Sequence, residues 1–205
     1  MGKCYDWNME QGLVLWNKRG LAKSALPVLR TDRPAEWQAK YASLTFNQYG
    51  REMPNGGMNE AGLVVEIMWL NATRHPPADE RRTVNELQWI QYQLDRFATV
   101  AEVIDNAPLL RIGRVHGDVH YMACDRSGTC ATLEVLDGRL VITRGQELVA
   151  PALTNTPYAE SAEHLRKHQG FGGKQPIPGG SGSLDRFARA ASRSRASMAT
   201  GSVRR

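Results

Sequence analysis

At 205 residues, 41% of them hydrophobic, the chain is long enough for one compact domain with its own core and too apolar for an intrinsically disordered polymer. No apolar run approaches the roughly 20 residues of a membrane-spanning helix, and residues 1–12 join no basic stretch to an apolar one, so the sequence as written reads as cytoplasmic; an export signal upstream would make it periplasmic or secreted. Much of the net charge of +5 sits on Arg186, Arg189, Arg193, Arg195, Arg204 and Arg205, without the aromatic or motif context of a nucleic-acid site, and neither nucleic acid nor membrane is an expected partner.

In chain order, residues 12–17 and 41–49 carry the alternation and aromatic content of half-buried strands, and Pro54-Asn55-Gly56-Gly57 reads as the turn after the second. Residues 62–70 form a near-continuous apolar run rich in valine and isoleucine, which suits a central strand buried on both faces. Asn85 is placed to cap a helix from Glu86, with Leu87, Ile90, Leu94 and Phe97 at helical spacing, and Thr99 to cap a second from Val100 to Asn106. Residues 119–124, 130–136 and 139–143 read as a meander with turns at 125–128 and Asp137-Gly138. Residues 159–168 read as an amphipathic helix closed by Gly170, and a loop rich in glycine and proline leads to a helix near Ser183. Such strands and helices, with antiparallel meanders, predict an α+β layered domain rather than a doubly wound parallel sheet. Residues 191–205, rich in arginine, serine and alanine, are expected to form a disordered tail.

Cys4, Cys124 and Cys130 are too few for a disulfide-scaffolded fold or a four-ligand zinc site. Cys124 and Cys130 flank a tight turn, either as two buried thiols or as a disulfide that implies an oxidising compartment. His116 and His120 stand four apart, but their surroundings read as turn and strand, whereas metal ligation at that spacing needs a helix. The loop at 179–183 lacks the lysine of a nucleotide loop, so no metal or cofactor is expected.

Four segments carry chemistry together: Gly2-Lys3-Cys4-Tyr5-Asp6-Trp7; Gly57-Met58-Asn59-Glu60-Ala61-Gly62-Leu63; Leu153-Thr154-Asn155-Thr156-Pro157; and Pro178-Gly179-Gly180 with Ser183-Leu184-Asp185-Arg186-Phe187. They resemble, in order, the Gly-Arg-x-x-Asp-Trp, Met-Asn-Glu-x-Gly-Leu, Thr-Asn-x-Pro and Pro-Gly…Ser-Arg-Phe segments of choloylglycine hydrolases and penicillin V acylases. Each occurs by chance elsewhere; four in order across residues 1–190 point to that family.

The resemblance implies an N-terminal-nucleophile hydrolase αββα sandwich, here a partial domain over residues 1–190 with the first strand and the C-terminal strands missing. It also implies cleavage of a small-molecule linear amide of conjugated bile acid, penicillin V or acyl-amide type, in which an N-terminal cysteine attacks and its own α-amine serves as base. Asp6 would hold that amine, its plain alternative being a turn or cap residue. Asn155 would donate to the oxyanion, a contact worth roughly 3 kcal/mol, or else form an Asx turn before Pro157. Trp69 falls where the family has a second oxyanion donor, usually tyrosine or asparagine, so only its backbone N–H can serve; core packing is the alternative. Arg186 would favour the thiolate or orient the substrate, against a solvated helix arginine. Lys3 replaces a family arginine, exchanging a planar fork for a point charge.

The family's cysteine precedes the aspartate matched to Asp6, a place that Cys4, after Met1-Gly2-Lys3, does not fill. The expectation is therefore an impaired amidase whose exposed sheet edges favour a homo-oligomer, the rival being a non-catalytic fragment that acts as a binding or interaction module.

Overall fold

The computed structural model describes residues 2–6 and 11–201, with side chains as far as Ser197; Trp7 of the first motif, Arg204 and Arg205 lie outside the described residues. The elements are β1 (Leu13–Asn17), β2 (Ala22–Ser24), β3 (Arg33–Pro34), β4 (Glu36–Gln38), β5 (Ser43–Asn47), β6 (Pro54–Asn59), β7 (Val64–Trp69), β8 (Arg82–Asn85), α1 (Glu86–Arg96), α2 (Val100–Asn106), β9 (Leu110–Gly113), β10 (Val119–Cys124), β11 (Cys130–Leu136), β12 (Arg139–Arg144), α3 (Tyr158–Leu165) and α4 (Ser183–Gly201). Seven strands form the main sheet in the order β1-β5-β6-β7-β10-β11-β12, each antiparallel to its neighbours. Small sheets β2-β4 and β3-β8-β9 stand beside it, the second parallel.

Both helix caps read from the sequence are present. Asn85 accepts from the N–H groups of Leu87 and Gln88, and Thr99 with Glu102 closes a reciprocal capping box. α1 and α2 cover one face of the sheet, where Trp89 lies on Tyr121 with ring centroids 4.3 Å apart and Leu63, Val65, Ile90 and Leu133 are fully buried. The polar side of α1 is buried as well. Asp95 takes Trp37 Nε1 at 2.7 Å and Lys23 Nζ at 3.0 Å, and Gln88 Oε1 takes the N–H of Leu26 at 2.8 Å, so the strands between β1 and β5 seal the helix from behind.

Pro54-Asn55-Gly56-Gly57 is not a turn but the first part of β6. The reversal lies earlier, where Gly50 and Glu52 have φ of 105° and 64°. Glycine is needed in the strand for space: a Cβ on Gly57 would stand 2.5 Å from the carbonyl of Leu44, and one on Gly56 would overlap the Glu66 carboxylate. β7 is the fourth of seven strands, central as expected, but its far face is only half covered at Glu66 and Met68.

Against that far face, beside β10 and β11, lie α3 and α4. Their small core includes Tyr158, Ala162, Leu165, Phe187 and Ala191, with Tyr158 and Phe187 edge to face at 5.6 Å. α4 continues to Gly201, into the stretch expected to be a disordered tail, and Ala191 is 2% exposed. Cys124 and Cys130 are joined as a disulfide across the β10–β11 hairpin, and Cys4 is free and exposed. Beside that hairpin's turn, Asp125 Oδ2 accepts the N–H of Val100, the first residue of α2, at 2.9 Å.

Candidate active site

Trp69, Asn155 and Arg186 meet at one end of the central strands. Asn155 lies on the segment between β12 and α3, and its amide is held from both ends. Nδ2 donates to the carbonyl of Trp69, the last residue of β7, at 2.9 Å, and Oδ1 accepts from Nη2 of Arg186, in the first turn of α4, at 2.7 Å. A carbonyl only accepts and a guanidinium only donates, so these partners fix which way the amide faces and leave it one further N–H. Arg186 is fixed in turn, its Nε donating to Ser181 O at 3.0 Å.

The peptide that carries Asn155 is secured on either side. Thr156 Oγ1 donates to Ser183 Oγ at 2.7 Å, and Ser183 Oγ donates to Thr154 Oγ1 at 3.1 Å, tying the segment to the start of α4. Beneath it, His120 of β10 places Nε2 2.6 Å from the carbonyl of Thr154 and Nδ1 2.8 Å from Oε1 of Glu134 on β11. Glu134 also accepts from the N–H of Tyr158, the first residue of α3, at 3.0 and 3.2 Å. His120 is 0% and Glu134 1% exposed. Burial, with the Glu134 charge adding to it, pushes the Tyr158 phenol up to about 12.

Trp69 enters through its carbonyl, which meets Asn155, rather than through the N–H expected of a second donor. Its ring lies against Gly117, where a Cβ would come within 2.5 Å of Cζ3. The Glu86 carboxylate fixes that loop by accepting the N–H groups of Val115 at 2.9 Å and Gly117 at 2.7 Å.

Lys3 and Asp6 are not brought to Asn155. Lys3 Nζ donates to Asn55 O at 2.8 Å and pairs with Glu66 Oε2 at 3.1 Å; Glu66 precedes Trp69 by three residues, roughly 10 Å along a strand. Burial lowers the Lys3 pKa and raises that of Glu66, each against the pull of the other's charge. Asp6 is exposed, and among the described residues no contact links it to Asn155 or Arg186. His116 and His120 diverge, His116 Nδ1 standing 3.6 Å from Glu86 and His120 turning to Glu134. Among the described residues no three His, Cys, Asp or Glu side chains converge as metal ligands.

Sequence reasoning singled out His120 only as half of a histidine pair, named Ser183 only as part of the fourth motif and the start of its helix, and passed over Glu134. Glu134 did leave a signal, as the one carboxylate in the otherwise apolar or small run CATLEVL, where burial demands a partner.

Residues 35–201 match the sequence model of the linear amide C–N hydrolases of the choloylglycine hydrolase family. The chain is similar to the penicillin V acylase of Pectobacterium atrosepticum, 30% identical over 172 residues that cover 76% of this chain and 45% of that protein. Among solved structures it is similar to the penicillin V acylase from Agrobacterium tumefaciens, with a TM-score of 0.76 and 31% identity over 89% of this chain and 57% of the other. The fold of a conjugated bile acid hydrolase variant from Clostridium perfringens matches with a TM-score of 0.75 at 19% identity, over 95% of this chain and 66% of that one. The chain thus spans less than half the length of the curated relative.

Proposed function

Since the chain belongs to the choloylglycine hydrolase family of linear amide C–N hydrolases and has the N-terminal-nucleophile hydrolase fold, we propose that its site polarises the carbonyl of a small linear amide, of the penicillin V or conjugated bile acid type. The observation that carries this reading is the Asn155 amide, oriented by Trp69 O and Arg186, with one N–H left for a developing oxyanion. Arg186 polarises that amide through Oδ1 and adds a fixed positive charge beside it. Asp6 and Lys3 are proposed as the groups that face the attacking residue, with Trp69 forming a wall for the substrate.

The attacking group is the weak point of this polypeptide. Cys124 and Cys130 are bonded to each other, and Cys4 is exposed with no contact to Asn155 among the described residues. We therefore expect the 205 residues alone to bind the amide and to hydrolyse it slowly, with water rather than a thiol as the attacking group and acid plus amine as products. The test is product release from penicillin V and from a glycine-conjugated bile acid, with binding followed by calorimetry. Turnover that falls about 100-fold to 1,000-fold in Asn155→Ala, with KM little changed, supports the assignment. Turnover indifferent to Asn155→Ala, or neither binding nor turnover of either amide, overturns it.

A second reading, a non-catalytic interaction module, is favoured by Val14, Trp16, Leu44, Phe46 and Met58, which share one open face. Binding of another protein without binding of any amide would select it.

A further inference from the structure

His120 has two ring nitrogens and two neighbours, and neither neighbour is an ordinary donor. The Thr154 carbonyl, 2.6 Å from Nε2, only accepts, so Nε2 carries a proton. Glu134 Oε1 stands 2.8 Å from Nδ1, and both oxygens of the same carboxylate accept the N–H of Tyr158, the first residue of α3, at 3.0 and 3.2 Å. A carboxylate that accepts at both oxygens leaves Nδ1 as the donor. We infer that His120 and Glu134 form a buried imidazolium–carboxylate pair that positions Asn155.

The pair acts through one peptide. Thr154 immediately precedes Asn155, and the N–H of His120 pins the Thr154 carbonyl from the sheet beneath it while Ser183 holds the hydroxyls of Thr154 and Thr156 from the side of α4. Asn155 then has only its own side chain to direct. The charged or titratable groups around the ring are few: Glu134 on β11, the Tyr158 phenol on α3, Arg186 on α4 beyond Asn155, and Glu66 on the same face of β7 as Met68, the register partner of His120. Among the described residues none of these is a solvent-exposed base, so the proton on Nδ1 has no ready acceptor other than Glu134. His120 is thus a positioning residue. This deepens the reading of Asn155 as the polarising group and rests on it for its functional meaning, while its protonation state stands apart from that reading.

The first measurement needs no variant. In the intact chain labelled with ¹⁵N-histidine, one imidazole should show both ring nitrogens protonated across neutral pH, and that signal should vanish in His120→Gln. An Nδ1 of His120 without a proton at neutral pH overturns the inference. In the second, His120→Gln and Glu134→Gln should each speed hydrogen exchange at the Asn155 side-chain amide on the order of tenfold or more, the worth of a hydrogen bond to a charged group, while the Trp89 indole keeps its protection. Unchanged Asn155 exchange in both variants overturns the positioning role. Where turnover is measurable, kcat should fall about 100-fold with KM held, as for a displacement of about 1 Å. A doubly protonated His120 with turnover indifferent to Asn155→Ala would sink the functional reading and leave the pair; a singly protonated His120 beside an Asn155-dependent turnover would do the reverse.

Discussion

The far face of the sheet divides into two unlike halves. Beside β10 and β11 it carries His120, Met122, Thr132 and Glu134, all buried, beneath the Asn155 segment and the small core of α3 and α4. Across β1, β5 and β6 it carries Val14, Trp16, Leu44, Phe46 and Met58, which remain 40–67% exposed. Polar groups are thus sealed where chemistry is assigned, and apolar groups are bare where none is. A buried acid or imidazole specifies its neighbours because each needs particular partners, whereas an apolar face specifies only that something apolar should cover it.

The face under α1 sets the scale for a sealed surface. Trp89 is fully buried on Tyr121, so Trp89→Ala should cost about 3–5 kcal/mol in urea unfolding, the largest effect expected here. A loss below about 1 kcal/mol would mean that this core is looser than its packing implies. Next comes the disulfide. Cys124 and Cys130 close a short loop beside Asp125, which receives the first N–H of α2, and reduction should remove about 2 kcal/mol by the chain-entropy relation while loosening the start of that helix. Equal denaturation midpoints with and without a phosphine reductant would contradict it.

On the open half the same chemistry should give the opposite result. Trp16→Ser and Phe46→Ser should change unfolding free energy by no more than about 0.5 kcal/mol, since both rings already stand in water at 67% and 54% exposure. Each should instead lower self-association in sedimentation velocity, the behaviour expected of an apolar face beside an edge strand. Destabilisation as large as that of Trp89→Ala would show that this half is covered within the folded chain.

What the sequence revealed follows the same division between local and distant causes. Caps at Asn85 and Thr99, the apolar run of β7 and the Asp137-Gly138 hairpin are local signals, and all are present in the structure. β2 and β4 left no periodic signal because their order comes from afar: Lys23 and Trp37 are placed by Asp95, whose burial against them lets a helix with a polar back stay buried from Glu86 to Asp95. Gly56-Gly57 looked like a turn because steric demand from Leu44 and Glu66 cannot be read along the chain. The extension of α4 into the Arg/Ser/Ala-rich stretch reflects the high helix propensity of alanine and arginine, once Phe187 and Ala191 anchor one side. At the candidate site, Asn155 and Arg186 were named through the order of four motifs and Trp69 through its place in the strand after the second, and the structure brings the three together. His120 and Glu134 stayed hidden because their partnership is made across strands.

The smallest effect lies at the seam between the halves, where Lys3 reaches Glu66 on β7. Burial raises the Glu66 pKa above its ordinary 4.5 despite the neighbouring ammonium, so the folded state holds this proton more tightly than the unfolded one. Its contribution to stability is fully present below pH 4.5 and is lost as pH rises through the raised value. Lys3, lowered from 10.5 by burial, contributes with the opposite sense, present above 10.5 and lost as pH falls through its lowered value, and so does not enter the acid window. Glu66→Gln removes the acid-side term and also the charge that holds the Lys3 pKa up, and the further lowering of Lys3 acts on the difference in the same direction. The unfolding free energy of the variant minus that of the parent should therefore climb as pH rises from about 4.5 toward neutrality, as read from urea titrations at several pH values. A difference that stays flat, or that declines, would show Glu66 to be solvated in the folded chain and the seam to belong to the open half.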